Sequence, residues 1–232
     1  MELGYSRKLN GSLNNKNIGI TTTEVRLMEA AIGLYGRFGI QAVSLNQIRK
    51  HAKVANESAI RYHFLNKTGL VRQCVEYVAD RILPSLSKLA QKIESSESVP
   101  DPVTIILNFR VPIHNLFEVS PDSVRFLASL IRDANLEERR ILANKFGEIV
   151  GRYENLLAAS LPNKSSEWIH IHFLMTIDNI FHSLSDRGIL RCGSSTSDCQ
   201  SKYFLKTEDV EKVRLTFVLA GICSLPVEIE NC

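Results

Sequence analysis

Nowhere in this 232-residue chain do eighteen consecutive residues stay apolar, so it lacks the hydrophobic run that a membrane-spanning helix requires. Residues Met1 to Lys16 are rich in Asn, Ser and Gly and contain no apolar core of the kind a secretion signal needs. The expectation is a cytoplasmic protein with no membrane partner. Five cysteines are present, at positions 74, 192, 199, 223 and 232, but they are scattered, odd in number, and form no Cys-x-x-Cys pair or zinc spacing. They read as reduced thiols, with no metal and no other cofactor implied. Cys192 and Cys199 flank a Ser-, Gly- and Asp-rich stretch, where a disulfide or oxidant sensor stands as an alternative to incidental thiols. A glycine-rich phosphate loop is missing, as is any recognisable set of nucleophile, base and orienting group, which argues against an enzyme. Alternating strand patterns, fixed-period repeats and low-complexity tracts are absent as well.

What remains is a helical chain able to bury a sizeable core, with 44% hydrophobic residues. Its net charge of +3 is unevenly spread: residues 1–80 carry 11 Lys and Arg against 6 Asp and Glu, and residues 81–232 carry 17 against 19. A basic head on a slightly acidic body points to a polyanionic partner for the head, although a solvated surface has the same signature.

Leu27, Ala30, Ala31, Leu34 and Phe38 repeat with the period of one buried helix face. Thr21 and Glu24 form a capping box before that helix, and Gly39 stops it. Ser44 and Gln47 repeat the same chemistry ahead of Leu45, Ile48 and Ala52, and Asn56 is placed to cap a third short helix with Ala59 and Ile60 inward and Phe64 closing it. A longer helix starts at Lys67 and keeps its apolar stripe past Pro84, predicting a kink there and a break in the stretch 94–102. Further helices are expected over about 103–117, 121–133, 136–160, 166–185 and 208–224.

Three helices of about 17, 9 and 8 residues, the last two joined by a short turn, make the compact unit whose final helix can enter a DNA major groove. The expected outward set on that helix is Asn56, Glu57, Ser58, Arg61, Tyr62 and His63, with Lys67 following at the next helix start, where amide donors and a cation can hold a phosphate. Read without that geometry, Tyr62 is a core aromatic, His63 a helix cap, and Arg61 and Lys67 solvated charges.

From about Arg26 to Leu70 the chain resembles the tetracycline-repressor-type (TetR) regulators. The resemblance rests on Ala30-Ala31, Leu34, Phe38-Gly39, Val43-Ser44-Leu45, Ile48, Ala52 and the run Asn56-Glu57-Ser58-Ala59-Ile60-Arg61-Tyr62-His63-Phe64 followed by Lys67 and Leu70. It implies that Ser44 begins its helix at a phosphate, that Tyr62, His63 and Lys67 contact the DNA backbone, and that the start of the third helix reads bases. Three positions depart from the usual pattern: Lys53 stands where glycine is common, Arg49 where alanine is common, and the second turn is one residue longer. A subset of the family with an Asn-x-Ser-Ala-x-x-Tyr-His-Phe ending shares the longer turn.

The resemblance also implies an all-α fold with a C-terminal domain for ligand binding and dimerisation. The expected organisation is a flexible arm (1–20), a helix-turn-helix domain (21–66) and a regulatory and dimerisation domain (67–232) entered through a connecting helix (67–93). Ile169, Ile171, Phe173, Leu174, Met175, Ile177, Ile180, Phe181 and Leu184 surround their helix, and Val213, Phe217, Val218, Ala220, Gly221 and Ile222 crowd the last one. Burial against a second copy explains that surplus.

A mostly apolar pocket is expected from Phe109, Ile113, Phe117, Phe126, Leu130, Phe146 and Tyr153, with His114, Asn179 or His182 orienting the ligand. His170 and His172 lie about 200° apart around a helix and cannot share an ion unaided. Asp178 and His182 are helical neighbours suited to pairing, to a pocket or to a dimer seam. The expected function is a homodimeric transcription regulator that binds operator DNA, a repressor released by a small hydrophobic effector. Its competitors are an enzyme, for which no polar catalytic cluster is evident, and a helical ligand-binding or dimerisation protein without DNA function, which needs no basic head.

Overall fold

A computed structural model describes residues 21–98, 100–185 and 207–224. The arm expected over 1–20 and the cysteines at 192, 199 and 232 lie outside these residues. Within them the chain forms α1 (Thr22–Phe38), α2 (Leu45–His51), α3 (Ala59–Phe64), α4 (Lys67–Glu94), α5 (Pro102–Val119), α6 (Pro121–Asp133), α7 (Leu136–Ser160), α8 (Ser166–Ser185) and α9 (Thr207–Cys223). The fold is all-α, with no strand among the described residues. No helix among them is long and apolar enough to cross a membrane.

Local chemistry sets the helix starts. Full capping boxes close the N-termini of α1 (Thr21 with Glu24), α2 (Ser44 with Gln47) and α7 (Asn135 with Glu138), each satisfying two amides that the first turn leaves unpaired. Asp101 caps α5 ahead of Pro102, whose missing N–H costs nothing at a first helical position. α4 runs unbroken through Pro84 and ends at Glu94, inside the stretch where the sequence predicted the break.

Two sequence expectations change. Phe38, assigned to the buried face of α1, is 63% exposed, whereas Met28, Ile32 and Tyr35 are buried. The reason is that α1 is enclosed on two sides: one face meets the head, and the adjacent face packs on α6, its most extensive neighbour. Gly36 permits that approach, since a Cβ there would sit 3.0 Å from Arg125 Cβ and 3.1 Å from Asp122 O and Phe126 N. The second change is at Asn56, whose Oδ1 accepts the Ser58 amide at 2.9 Å. It therefore shapes the turn, and α3 starts only at Ala59 and has six residues.

The body wraps α4 to α8 around one core, with α7 laid along α4 and α8 along α6 and α9. Tyr153 is fully buried there, edge-on to Phe109, with its hydroxyl donating to Leu86 O at 3.2 Å. Burial pushes that phenol up to about 12, so it stays a neutral donor.

Candidate functional site

The head presents α3 outward because Ala59, Ile60 and Phe64 are buried, which turns the opposite face to solvent. Asn56, Glu57, Ser58 and Arg61 are exposed, and the Tyr62 ring is 82% exposed. His63 is different. It turns back toward α1, where its Nδ1 lies 3.1 Å from Glu24 Oε1, and only its edge meets the Tyr62 ring. Burial alone would raise the Glu24 carboxyl, but hydrogen bonds from the Thr21 amide and hydroxyl and the adjacent His63 ring hold it below its ordinary value.

The turn between α2 and α3 is held by two arginines. Arg49, 15% exposed, donates from Nη1 to Val54 O (3.0 Å) and Ala55 O (3.2 Å), and from Nη2 to Asn46 Oδ1 (2.9 Å) and Glu57 Oε1 (3.4 Å). Arg26 reaches from α1 to the carbonyls of Ala52 and Lys53. Lys53 sits at φ 54°, the left-handed region where glycine is easier. The Arg49 guanidinium thus gathers, side by side, the carbonyls that this turn leaves without a main-chain partner.

At α2, Ser44 is exposed, with its hydroxyl accepting Gln47 N (3.3 Å) and its own amide donating to Gln47 Oε1 (2.8 Å). Lys67 is half-buried in the first turn of α4, whose cap Asn66 accepts the Gly69 amide at 2.8 Å. Gly69 is required by proximity: a Cβ there would fall 2.0 Å from Phe64 O, so any side chain would push α3 away from α4.

In the body, a half-open apolar cavity of about 570 Å³ lies between α4, α5, α6, α7 and α8. Of the residues expected to form a pocket, Phe109, Ile113, Leu130 and Phe146 line it. The other six lie elsewhere. Tyr153 sits behind Phe109, Phe126 stacks on Tyr35 at 6.0 Å, and Phe117 lies beneath Arg125. His114 faces Glu118 at 3.9 Å. Asn179 meets the α9 side near Arg214 and Leu215, and His182 hydrogen-bonds Asp178 through its main-chain O (2.9 Å) and Oδ1 (3.0 Å). The cavity's polar groups are ones the sequence did not single out for it: Arg139 and the pair of His170 Nδ1 with Glu154 Oε1 at 2.7 Å. No group of three metal-ligating side chains occurs among the described residues.

α6 joins the two regions. Phe126, Asp122 and Arg125 face α1, while Leu127, Leu130 and Ile131 face the cavity. Arg37 of α1 adds an ion pair to Asp122 at 3.6 Å, and Gln41 beyond α1 reaches the buried carboxylate of Glu138 at 3.4 Å.

α8 splits its apolar surplus. Ile169, Phe173, Ile177, Ile180, Phe181 and Leu184 are buried, while Ile171 and Met175 are exposed, Leu174 lies half-exposed at the cavity, and Val213 and Phe217 of α9 are exposed, the last 75%. Such a patch on one protomer is the surface a partner would cover.

Residues 120–221 match the family model described as the tetracyclin repressor-like C-terminal domain. No curated protein matches the chain by sequence. Among solved structures, a TetR-family transcriptional regulator from Bordetella parapertussis superposes with a TM-score of 0.59 at 13% identity, covering 90% of this chain and 100% of its own. FadR from Bacillus subtilis, in complex with stearoyl-CoA, gives 0.56 at 14% identity over 85% of this chain and 98% of its own. The fatty acid degradation regulator FadR from Bacillus halodurans gives 0.56 at 12% identity, over 89% and 99%.

Proposed function

The chain carries the fold and the C-terminal domain of the TetR-family transcriptional regulators, and on that premise we propose that it is a homodimeric repressor released from operator DNA by a small hydrophobic effector. The observation that carries the reading is that one helix, α6, backs onto the DNA-facing head with one side and onto an apolar cavity with the other. A ligand that moves the cavity wall must act on the element that sets the head's position.

The head's exposed chemistry supports duplex recognition. Arg61, Tyr62 and Lys67 supply donors and cations for phosphates, while Asn56, Glu57 and Ser58 stand where α3 would meet base edges. Ser44, exposed at the start of α2, would have to turn its hydroxyl from Gln47 Oε1, to which it donates at 2.8 Å, to reach a phosphate. His63 contributes by fixing the Tyr62 end of α3 to α1 through Glu24. Two heads spaced by a symmetric dimer fit a near-palindromic operator. The exposed apolar faces of α8 and α9 are the surface for that dimer. No enzymatic role is proposed, because the cavity's polar groups do not form a set of nucleophile, base and orienting group.

The test is an electrophoretic mobility shift with the DNA upstream of the protein's own gene, repeated with Asn56→Ala, Arg61→Ala and Lys67→Ala. Arg61→Ala and Lys67→Ala should each weaken binding to every duplex by about 1–3 kcal/mol, and Asn56→Ala should change which sequence is preferred. If folded Arg61→Ala and Lys67→Ala proteins bind like wild type, this assignment of the DNA-facing surface is wrong.

A further inference from the structure

We propose that the cavity lined by α4 to α8 is built for an elongated aliphatic anion, a long-chain acyl group whose carboxylate or phosphate head lies on Arg139 and whose chain runs over Gly147 and Gly151. This rests on the reading of the cavity as an effector site and names the chemical class of the effector.

Length comes first. The α7 wall runs from Arg139 to Glu154, a rise of roughly 22 Å at 1.5 Å per residue. The lining along that length is apolar and includes Phe146 and Val150. A compact ligand would leave much of this wall wet, whereas an extended chain covers it.

Charge comes second. Glu154 and His170 satisfy each other at 2.7 Å. Arg139 has no such partner: its Nε donates to Ala134 O at 3.0 Å, and its guanidinium forms no ion pair with any described residue. The guanidinium is thus a cation with donors to spare at one end of the groove, matched to a carboxylate or phosphate. At the other end the Glu154 carboxylate repels an anion, which fixes the direction of the ligand.

The third observation is the width. Gly147 and Gly151 lie one turn apart on the lining face of α7, and a Cβ at either would meet nothing within 4 Å. Glycine is a poor choice in a helix interior unless space is needed, and no neighbouring protein atom uses this space.

Calorimetric titration of the full-length protein with hexadecanoate, hexadecanoyl-CoA, octanoate and hexadecan-1-ol, each below its micelle-forming concentration, tests the proposal. Wild type should bind at least one of the two sixteen-carbon anions ten-fold or more tightly than octanoate and than the alcohol. Which one binds tells a free acid from a thioester of a nucleotide. Arg139→Gln should erase the preference for the anion over the alcohol, and the double variant Gly147→Leu/Gly151→Leu should weaken anion binding at least ten-fold while its Tm holds or rises.

Three results would overturn the proposal: no dependence on chain length, an anion preference that survives Arg139→Gln, or a leucine variant that binds normally but no longer dimerises, which would make the groove a contact between copies. Operator binding by the ligand-free protein is read separately, so a regulator with a different effector is distinguished from a protein that does not bind DNA.

Discussion

Arg49 illustrates how much one side chain can decide in a small unit. Its guanidinium gathers two carbonyls of the α2–α3 turn and the side chains of Asn46 and Glu57, so the turn has a cationic centre in place of a hydrophobic one. Hydrogen bonds from a charged donor are each worth about 1.5–3 kcal/mol, part of which water recovers in a half-open site. Arg49→Ala should therefore lower unfolding stability by about 1–2 kcal/mol and broaden the amide signals of residues 53–57; urea unfolding and a two-dimensional amide spectrum check both. Glu24 makes a pH-dependent contribution. Its carboxyl titrates lower in the folded chain than in the unfolded one, so its stabilisation is complete at neutral pH and is lost as pH falls through the carboxylate range. Glu24→Gln keeps an acceptor for the capping box but removes the charge beside His63. The variant should be less stable than wild type at pH 7, and the gap should close on acidification in thermal melts from pH 7 to pH 3.

At the scale of the helix, α8 and α6 each serve two neighbours. α8 buries Phe173 and Phe181 inward and leaves Ile171 and Met175 exposed, as α9 leaves Phe217. Phe217→Glu should convert the proposed dimer to monomers or insoluble protein, because a carboxylate would enter the proposed seam with no partner for it. Light scattering decides this, and a wild-type protein that is a stable monomer at micromolar concentration would refute the premise. α6 touches the head through the Tyr35–Phe126 stack and lines the cavity with its other side, which makes it the proposed transmitting element. Phe126→Leu removes that stack and leaves the cavity-lining residues in place. If the effector weakens operator binding 100-fold in wild type, a coupling of about 2.7 kcal/mol, the variant should retain less than ten-fold while binding effector and operator separately with near-normal affinity. Equal coupling in both proteins would exclude α6 as the transmitting element.

For the whole molecule, the relevant quantity is the charge asymmetry. With 11 cationic against 6 anionic residues in the first 80 positions, doubled in a dimer, contact with about 6–8 phosphates gives a log–log salt slope of roughly −5 to −7. Operator titrations from 50 to 300 mM salt by fluorescence anisotropy measure it, and a flat dependence would contradict an electrostatic interface. Head and body are also joined more tightly than a hinge of one connecting helix would allow. α1 packs on α6, Gly36 lies against Phe126, Arg37 pairs with Asp122, and Gln41 reaches Glu138. A shift in the cavity wall therefore reaches the head by several contacts at once, with little slack to absorb it.

The sequence by itself determined what is local. Capping boxes at Thr21 and Ser44 and apolar periodicity placed the nine described helices to within a few residues, because these signals act over one or two turns. The run from Asn56 to Phe64 likewise marked the outward face of α3, since buried Ala59, Ile60 and Phe64 fix the direction of their neighbours. Contacts between distant residues were decided only by the tertiary structure. The pairing of His63 with Glu24 spans 39 positions, and that of His170 with Glu154 spans 16 across two helices. Nothing in a single helix's periodicity tells which of its two apolar faces meets a neighbour and which lines a void. For that reason Phe126 and Tyr153 belong to packing, while Arg139, Gly147 and Gly151 stand at the cavity. Helix propensity and capping are properties of a short segment, but a cavity is what several helices leave unfilled between them, and that depends on how all of them pack together.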